Sequence, residues 1–355
     1  MKIVRIGQQE IGDGHPCYIL AEAGCNHNQR LDVAKKLIDM AVRSGVDSIK
    51  FQTYKAELMY SKKTPMMKHF KDRLTAKDDA TMYDLIKMTE LPYDMHAPIV
   101  NYCKKNNIPF LSTPFDEESL DFLDGFDVPA YKIAAFEMTH FPLLRKVAQK
   151  GKPIILSTGM SSLGDIEKAI EIIYRENNNQ VVLLHCVSNY PAQPEDYNLR
   201  VINTLKAAFG LPVGLSDHTF GIEVSKIAIS IGANLIEKHI TIDQKLPGPD
   251  HYFSLTKEEL TELTQFNKLA DKVLGSPIKK CTEAEKPMKN IGRRSLVAGV
   301  DIPSGTKITR AMIEVKRPGT GLDTGLISTL LGTETRRDIE RDEPLSWDMF
   351  LKYPD

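Results

Sequence analysis

The sequence lacks the features of a membrane-spanning or disulfide-stapled protein. None of its segments approaches 18 unbroken apolar residues, so no transmembrane helix is predicted. The first ten residues, MKIVRIGQQE, lack the apolar core of a signal peptide. The five cysteines are scattered, odd in number and without a CxxC pair, a pattern that disfavours both a disulfide framework and a zinc finger. We therefore expect a cytoplasmic protein with reduced thiols.

The sequence also lacks a strong net charge and nucleotide-binding motifs. Its formal net charge is −1, which disfavours an extended nucleic-acid surface or an anionic-membrane surface. No GxGxxG or GxxxxGKS/T motif follows an apolar run, so a nucleotide site is not predicted. Internal repeats of fixed period and low-complexity tracts are not evident. Any anion-binding site must therefore be a local group of residues and not an extended charged surface.

What the chain does contain is a regular alternation of short apolar runs and amphipathic segments, typical of strands alternating with helices. Each run closes in polar residues. The alternative fold, a doubly wound open sheet, would not place polar residues at every one of its strand ends. We therefore predict a (β/α)8 TIM barrel over residues 1–275. The predicted strands are 18–21, 48–51, 110–111, 130–134, 154–156, 181–184, 213–215 and 235–236.

The composition changes after the last predicted barrel helix. Residues 276–290 are rich in Lys, Glu and Pro, which indicates a linker. From 291 to 355, short alternating runs are broken by turn residues, which predicts a small mixed domain without a deep pocket of its own. Between the second and third strands, the basic, Met-rich segment 62–71 is typical of a mobile loop over the barrel mouth.

Two histidines, His218 and His239, follow the last two predicted strands. Residues at the carboxyl ends of barrel strands line a common mouth. Neutral imidazole suits divalent Mn, Fe, Co or Zn. The pair therefore predicts a shared divalent metal site, with hydrogen-bonded structural histidines as the alternative.

Two lysines, Lys50 and Lys132, fall inside predicted buried strands, where lysine is costly without an anionic partner. An ion pair with a carboxylate such as Glu22 is one explanation. The other is an anion site that suits a phosphate plus a carboxylate, because hydroxyls close the neighbouring strands. These hydroxyls belong to Thr113, Ser157 and Ser216.

Two single carboxylates, Glu22 and Glu137, follow other strands and can position hydroxyls or manage a proton, although either could be only a salt-bridge partner. Tyr190, beyond the sixth strand, is more typical of packing than of chemistry. The residues by themselves therefore indicate a metal-assisted barrel enzyme acting on a phosphorylated, carboxylated small molecule.

The same residues lie in motifs that resemble the sialic acid synthase family over essentially the whole chain. The C-terminal segments RRSLVAGVDIPSGTKIT (293–309) and VKRPGTG (315–321) are similar to the antifreeze-like (SAF) domain fused behind that family's barrel. The barrel motifs are AEAGCNHN (21–28), IKFQT (49–53), LSTPFD (111–116), YKIAAFE (131–137), LSTGM (156–160), LHCVSNYPA (184–192), GLSDHT (214–219), IEKHIT (236–241) and GPDHYFSL (248–255).

The resemblance implies a metal-dependent condensation of phosphoenolpyruvate with an open-chain N-acylated hexosamine. The products are a nonulosonic (sialic) acid and phosphate, released by C–O cleavage. The implied metal is Mn or Mg, held by His218 and His239, and the implied catalytic residues are Glu22, Lys132 and Glu137. Phosphoenolpyruvate would be held by Lys50, Thr113, Lys132, Ser157, Ser188 and Ser216, and the sugar by Glu22, Tyr190, Asp250 and Arg317.

The resemblance also implies a domain-swapped homodimer, because the arginine matching Arg317 reaches the N-acyl group in the partner's barrel. Two departures leave the acceptor open between N-acetylmannosamine and a diacetamido-trideoxyhexose. Residues 134–137 read AAFE where neuraminate-type members read GSGE, and Ser188 replaces an asparagine. Both changes resemble the pseudaminate branch, whereas GPDHYFSL resembles the neuraminate and legionaminate branches.

Three other functions remain open. Synthases that join phosphoenolpyruvate to shorter sugar phosphates lack the trailing domain and need a further basic cluster. A metal-dependent barrel hydrolase requires more histidine and aspartate ligands than the two histidines found. A non-enzymatic carbohydrate-binding or ice-binding protein has no need of lysines inside barrel strands, since such groups cluster at functional sites.

Overall fold

The structure, a computed structural model, describes residues 2–67, 70 and 79–350 of the chain. The chain divides into two compact units, Met1–Gly275 and Ser276–Asp355. Among the described residues, no helix has the length and apolar character needed to cross a bilayer.

The first unit contains a closed barrel of eight parallel strands, in which each strand pairs with its neighbours in sequence and the last pairs with the first, and this confirms the predicted (β/α)8 fold. A short antiparallel ribbon of β1 (Val4–Ile6) and β2 (Gln9–Ile11) precedes it. The barrel strands are β3 (Tyr18–Gly24), β4 (Ser48–Thr53), β5 (Phe110–Pro114), β6 (Tyr131–Ile133), β7 (Ile154–Ser157), β8 (Val181–Cys186), β9 (Val213–Asp217) and β10 (Leu235–His239).

Helices form between the strands where apolar residues recur at helical spacing and capping residues fix the ends. The helix Leu31–Ser44 ends at Gly45, whose φ of +71° suits glycine. A capping box of Thr256 and Glu259 starts the helix Lys257–Leu274. Among the described residues, the other helices of the barrel unit are Ala56–Met59, Met82–Thr89, Tyr93–Lys105, Glu117–Asp124, Phe141–Gln149, Leu163–Arg175, Val201–Phe209 and Glu223–Ser230.

Strand alternation separates two cores. Outward residues such as Ile19 and Ile154 pack under the helices, whereas inward residues such as Leu20 and Ile155 share a second core with the β1–β2 ribbon. The ribbon therefore closes one end of the barrel. The inward residues two positions further along the strands are polar and face the open end; they include Glu22, Thr113, Ser157 and Glu237.

Several strands run further than the sequence predicted. β10 continues through His239 instead of stopping at Ile236, and β3 continues through Gly24 instead of stopping at Ala21. The prediction was wrong because it ended each strand at the last apolar side chain. The ladder is made by backbone groups, so it continues while inward side chains become polar.

The second unit is small and mixed, with β11 (Ser295–Ala298) antiparallel to β12 (Ile313–Lys316). Its helices are Lys286–Gly292, which begins inside the predicted linker, and Ile327–Leu330. Its own hydrophobic core includes Leu296, Ile302, Ile308, Ile339 and Phe350.

The described part of the segment predicted as a loop (62–71) is anchored to the chain that follows it. Pro65 forms an isolated β-bridge with Thr81, and the backbone amide of Met82 donates to the carbonyl of Thr64 at 2.9 Å. Residues 68, 69 and 71 lie outside the described residues, so the predicted mobility remains a prediction.

Candidate active site

A cavity of about 310 Å³ lies at the polar ends of the barrel strands. It gathers most of the residues that the sequence nominated: Glu22, Lys50, Thr113, Lys132, Ser157, Ser188, Tyr190, Ser216, His218, His239 and Asp250. Among the described residues, the lining does not include Glu137 or Arg317. The side chains that do meet divide into an ionic floor, a histidine pair and a group of apolar residues.

Lys50 occupies one side of the ionic floor. Its Nζ lies 2.8 Å from Oε2 of Glu22 and 3.6 Å from Oε2 of Glu237. It also donates a hydrogen bond of 3.1 Å to Oγ1 of Thr113. Gln52 holds the other oxygen of Glu22, with Nε2 to Oε1 at 2.8 Å. The ion pair that the sequence offered as an alternative is therefore present, and it lies inside the cavity.

Lys132 occupies the other side of the floor. Its Nζ donates to Oγ of Ser157 at 2.7 Å and lies 3.6 Å from Oε1 of Glu237. The same Glu237 oxygen accepts a 2.8 Å hydrogen bond from Oγ of Ser216. Glu237 therefore lies between the two lysines and binds both electrostatically.

Sequence reasoning missed Glu237. The signal was available, because Glu237 precedes His239 by two residues and a strand alternates with a period of two. Once β10 is extended to His239, both side chains must face the interior. Oε2 of Glu237 is buried and has no hydrogen-bond partner among the described residues, as expected for an acceptor that faces a ligand space.

The two floor carboxylates differ in their preference for a proton. Burial raises the pKa of Glu237, but Lys132 and Lys50 outweigh it, so its pKa is lowered overall. Burial raises the pKa of Glu22, and Lys50 only partly offsets this because the charge of Glu237 is close. Glu237 is therefore the ionised partner of the lysines, and Glu22 is the carboxyl that more readily carries a proton.

His218 and His239 face each other above the floor, with ring centroids 5.5 Å apart. Nδ1 of His218 lies 3.0 Å from the carbonyl oxygen of Val187 and must donate to it, which leaves Nε2 with its lone pair. Burial lowers the pKa of His218 to about 4 and that of His239 well below its usual range. Both imidazoles are therefore neutral near pH 7.

Gly24 makes room for the histidine side of the cavity. Its φ of +52° is a left-handed conformation, and a Cβ there would lie 3.2 Å from both Nδ1 of His239 and Oδ2 of Asp250. Oδ2 of Asp250 lies 3.5 Å from that same Nδ1 and accepts from Sγ of Cys25 at 3.3 Å. The irregular pairing of β3 with β4 between Glu22 and Gly24 thus lies next to the contact between Asp250 and His239.

The histidine pair fits a divalent metal as two ligands of an incomplete set. Both rings are neutral, and Nδ1 of His239 is buried without a hydrogen-bond partner among the described residues. In the described part of the chain, no group of three or more His, Cys, Asp or Glu side chains has metal-site geometry. A metal here would therefore take its other ligands from substrate and water, as open catalytic sites do.

Ser188 and Tyr190 follow β8 and also line the cavity. Oγ of Ser188 is buried without a hydrogen-bond partner among the described residues, and a Cβ on Gly159 would lie only 2.4 Å from it. Glycine at 159 therefore leaves space for this hydroxyl. The Tyr190 ring packs 4.3 Å from the His218 ring, measured between centroids.

Two predicted site residues lie elsewhere. Glu137 ends the 3-10 turn Ala135–Glu137 after β6, and its Oε2 lies 3.1 Å from Nδ1 of His140, while its neighbour Phe136 lines the cavity. Arg317 is exposed in the second unit, where its Nε donates to the carbonyl of Gly292 at 2.7 Å. The roles that the resemblance gives these two residues remain predictions.

Comparisons with known proteins agree with this barrel and its trailing domain. The NeuB family profile matches residues 37–279, and the SAF domain profile matches residues 293–351. The chain belongs to the NeuB family. The predicted resemblance to sialic acid synthases with an antifreeze-like domain is thereby confirmed, and the chain is an enzyme of this type.

Similar members of the family cover nearly the whole chain. The N,N'-diacetyllegionaminic acid synthase of Legionella pneumophila is 40% identical over 95% of each chain. Human N-acetylneuraminate-9-phosphate synthase is 35% identical over 94% of this chain and 93% of its own length. The crystal structure of Bacillus subtilis spore coat polysaccharide biosynthesis protein spsE, 35% identical, covers 99% of this chain and 100% of that chain with a TM-score of 0.67.

Proposed function

We propose that this NeuB-family enzyme condenses phosphoenolpyruvate with an open-chain N-acylated hexosamine to give a nonulosonic acid and phosphate. The observation that carries the proposal is the ionic floor beside a neutral histidine pair. Two buried lysines and several hydroxyls suit an anionic substrate, and the neutral imidazoles suit a divalent metal. The names of similar proteins, which denote synthases of N,N'-diacetyllegionaminic acid and of N-acetylneuraminate 9-phosphate, support the product class.

Phosphoenolpyruvate would occupy the ionic floor. Charge-assisted hydrogen bonds from the ammonium groups of Lys50 and Lys132 would bind its phosphate and carboxylate. Hydroxyl donors would complete the seat, and two of them already contact these lysines in the structure. The proposed hydroxyls are those of Thr113, Ser157, Ser188 and Ser216.

His218 and His239 would hold Mn or Mg, which when bound supplies a Lewis acid at the sugar aldehyde. The acceptor would therefore enter from the histidine side, next to Tyr190 and Asp250. That position separates the acceptor from the phosphate seat while keeping both within one cavity.

The proposed reaction balances without an oxidant. C3 of phosphoenolpyruvate bonds to the aldehyde carbon, water adds to C2, and phosphate leaves with the bridging oxygen, so that C2 becomes the keto carbon. One of the two water protons leaves with the phosphate, and the other moves to the new hydroxyl. Glu22, whose pKa is raised by burial, would hold that proton, and the ammonium of Lys132 would stabilise the departing phosphate. Glu137 is the alternative carrier for the water proton.

The acceptor is N-acetylmannosamine or a diacetamido-trideoxyhexose. A pseudaminic or legionaminic acid synthase is therefore the alternative to a neuraminate synthase, and another phosphoenolpyruvate-dependent 3-deoxy-ulosonate synthase is the more remote alternative. We also propose a homodimer in which Arg317 of each chain reaches the N-acyl group in the other chain's barrel.

The proposal predicts that phosphate release from phosphoenolpyruvate requires both an acceptor and a divalent ion. Chelation, or the substitution His239→Ala, should lower the rate about 100-fold or more, because the aldehyde loses its polarising group. His15→Ala, which changes a half-buried histidine outside the cavity lining, is the matched control and should keep the wild-type rate. A His239→Ala enzyme that turns over normally in metal-free buffer would rule out the assigned metal site.

A further inference from the structure

Lys238 and Asp217 form a buried ion pair that the proposed chemistry does not use. Nζ of Lys238 lies 3.1 Å from Oδ2 of Asp217, and the two side chains are 1% and 0% exposed. Asp217 is the last residue of β9, and Lys238 lies opposite it on β10. Each therefore directly precedes one histidine of the pair, His218 or His239. Among the described residues, the cavity lining includes both histidines but neither member of the ion pair.

The ion pair holds the backbone on both sides of His218. Nζ of Lys238 donates a 2.6 Å hydrogen bond to the carbonyl oxygen of Thr219, the residue after His218. Oδ1 of Asp217 accepts from the backbone amide of Thr219 at 2.9 Å and from its Oγ1 at 2.7 Å. The residues before and after His218 are therefore bound to each other and to Lys238, which is joined directly to His239.

Packing does not require charges at this place. Asp217 is anchored to the helix Glu223–Ser230, because Oγ of the buried Ser225 donates to its Oδ2 at 2.6 Å. Two residues earlier on the same strands, Leu215 and Ile236 are apolar and belong to the core under the helices. A buried ion pair gives little net stability in return for its desolvation, so apolar residues would pack here equally well. The ion pair therefore calls for a role other than packing.

The two histidines differ in how their rings are held. The backbone amide of His218 donates to the hydroxyl of the buried Tyr197 at 2.7 Å, and its Nδ1 donates to the carbonyl of Val187 at 3.0 Å. Nδ1 of His239 has no hydrogen bond among the described residues. The place of His239 relative to His218 therefore depends on the backbone that Lys238 anchors.

We propose that the Lys238–Asp217 ion pair is a positioning unit that sets the distance between the imidazoles of His218 and His239, so that both can bind one divalent ion. This inference rests on the proposed function and adds to it two residues that touch neither substrate nor metal. Groups that bind a metal must be held within about 0.5 Å of their productive geometry. The ion pair meets this requirement because each of its members is joined directly to one histidine.

The test titrates metal-free protein with Mn and measures the unbound Mn by electron paramagnetic resonance. Lys238→Met removes the ammonium group. The double substitution Asp217→Asn with Lys238→Met removes both charges, so that neither is left buried alone. Both variants should bind Mn about 10- to 100-fold more weakly than wild type, the usual effect of losing a group that orients a metal ligand.

Activity provides a second readout that a general loss of folded enzyme would not reproduce. The Mn concentration for half-maximal phosphate release should rise by the same factor as the dissociation constant, whereas kcat should recover once Mn is saturating. Binding of phosphoenolpyruvate in metal-free buffer should be unchanged, because the ionic floor is intact. A loss of folded enzyme would instead lower kcat at every Mn concentration.

Lys206→Met is the matched control. Nζ of Lys206 also bridges a carboxylate and a backbone carbonyl, since it lies 2.6 Å from both Oδ1 of Asp13 and the carbonyl oxygen of Gly232. In the described part of the chain, Lys206 is not among the residues that line the cavity. The Lys206→Met variant should keep the wild-type affinity for Mn, even where its free energy of unfolding is lower.

The outcomes separate the positioning role from the proposed function. Wild-type Mn affinity in the folded double variant, or an equal loss of affinity in Lys206→Met, would overturn the positioning role while leaving the condensation intact. A wild-type protein that binds no Mn would overturn the proposed metal site and the positioning role with it. Wild-type protein that binds Mn but releases no phosphate with any acceptor would overturn the condensation alone. Weaker Mn binding in both ion-pair variants, with the control unchanged, supports the positioning role.

Discussion

At the residue scale, the site depends on two lysines that the barrel interior accommodates through paired charges. Lys50 and Lys132 are almost fully buried, and each would be strongly unfavourable without an ionised neighbour. Glu237 is the neighbour that they share, at 3.6 Å from each ammonium group. Its position explains how a cavity with two cations remains stable before an anionic substrate binds.

Substituting Glu237→Gln should therefore destabilise the fold by about 3–5 kcal/mol at pH 7, because two buried ammonium groups lose their common counter-charge. Phosphoenolpyruvate carries negative charge to the same lysines, so it should raise the melting temperature of the variant more than that of wild type. Urea unfolding and thermal melts with and without phosphoenolpyruvate measure both effects.

Glu262→Gln is the control for that experiment, since its partner Lys226 lies 2.6 Å away in an exposed ion pair. The Glu262→Gln substitution should lower the free energy of unfolding by less than about 1 kcal/mol. An equal loss of unfolding free energy in the two variants would contradict the role of Glu237 as a shared counter-charge. So would an equal rise in melting temperature on adding phosphoenolpyruvate to Glu237→Gln and to wild type.

The sequence revealed the lysines because a lysine inside an apolar run demands an explanation. It did not reveal Glu237, because charged residues at a strand end are ordinary and only the corrected length of β10 places this one inside.

Glu137 shows a different limit of prediction from sequence. A carboxylate after a strand can turn toward a neighbour such as His140 instead of the cavity, and spacing alone does not fix that direction.

At the element scale, strand alternation builds the site in layers. An apolar layer closes the barrel beneath, and the next inward residues provide lysines, carboxylates and hydroxyls. The order of strands and helices was predictable from periodicity. The irregular pairing of β3 between Glu22 and Gly24 was not predictable from periodicity, because a bulge depends on how the adjacent strand and the Asp250 turn pack against it.

The helix Tyr93–Lys105 carries a buried histidine that should make the barrel sensitive to acid. Nε2 of His96 lies 2.9 Å from Oγ1 of Thr53, and burial lowers the pKa of His96 to about 4. In the unfolded chain, the His96 imidazole takes up a proton below about pH 6.5, whereas in the folded chain it stays neutral until about pH 4. Stability should therefore fall as pH drops through this window, by up to about 3 kcal/mol from His96.

Urea unfolding at several pH values between 7 and 4.5 measures this slope. His96→Gln should flatten the loss of stability with falling pH, even though the variant is less stable at pH 7. His15→Gln serves as the control for a half-buried histidine and should retain the wild-type slope. A His96→Gln slope equal to that of wild type would show that His96 does not carry the acid sensitivity.

At the scale of the whole molecule, two units of different architecture make up the chain, and both were predicted as types of fold. The barrel followed from alternating periodicity, and the small domain followed from a change in composition. The full lining of the cavity was beyond sequence reasoning, because residues as distant in the chain as Met59 and Met160 meet in one cavity only after folding.

The proposed exchange of Arg317 between subunits predicts complementation. Arg317→Ala and His218→Ala proteins should each be inactive, since one lacks the arginine and the other a metal ligand. After full subunit exchange of an equal mixture, about a quarter of the sites would combine an intact barrel with the partner's intact arginine. Native mass spectrometry should show mixed dimers, and an inactive mixture that contains them would exclude the exchange.

The central claim is that this cavity joins phosphoenolpyruvate to an acceptor sugar with cleavage of the C–O bond. Phosphoenolpyruvate labelled with oxygen-18 at the bridging position, supplied with Mn and each of the proposed acceptors, tests it most directly. We predict that the label appears in the released phosphate, in equal amount to a new keto acid, and only when an acceptor is present. Label retained in the organic product, or phosphate released equally without acceptor, would contradict the account.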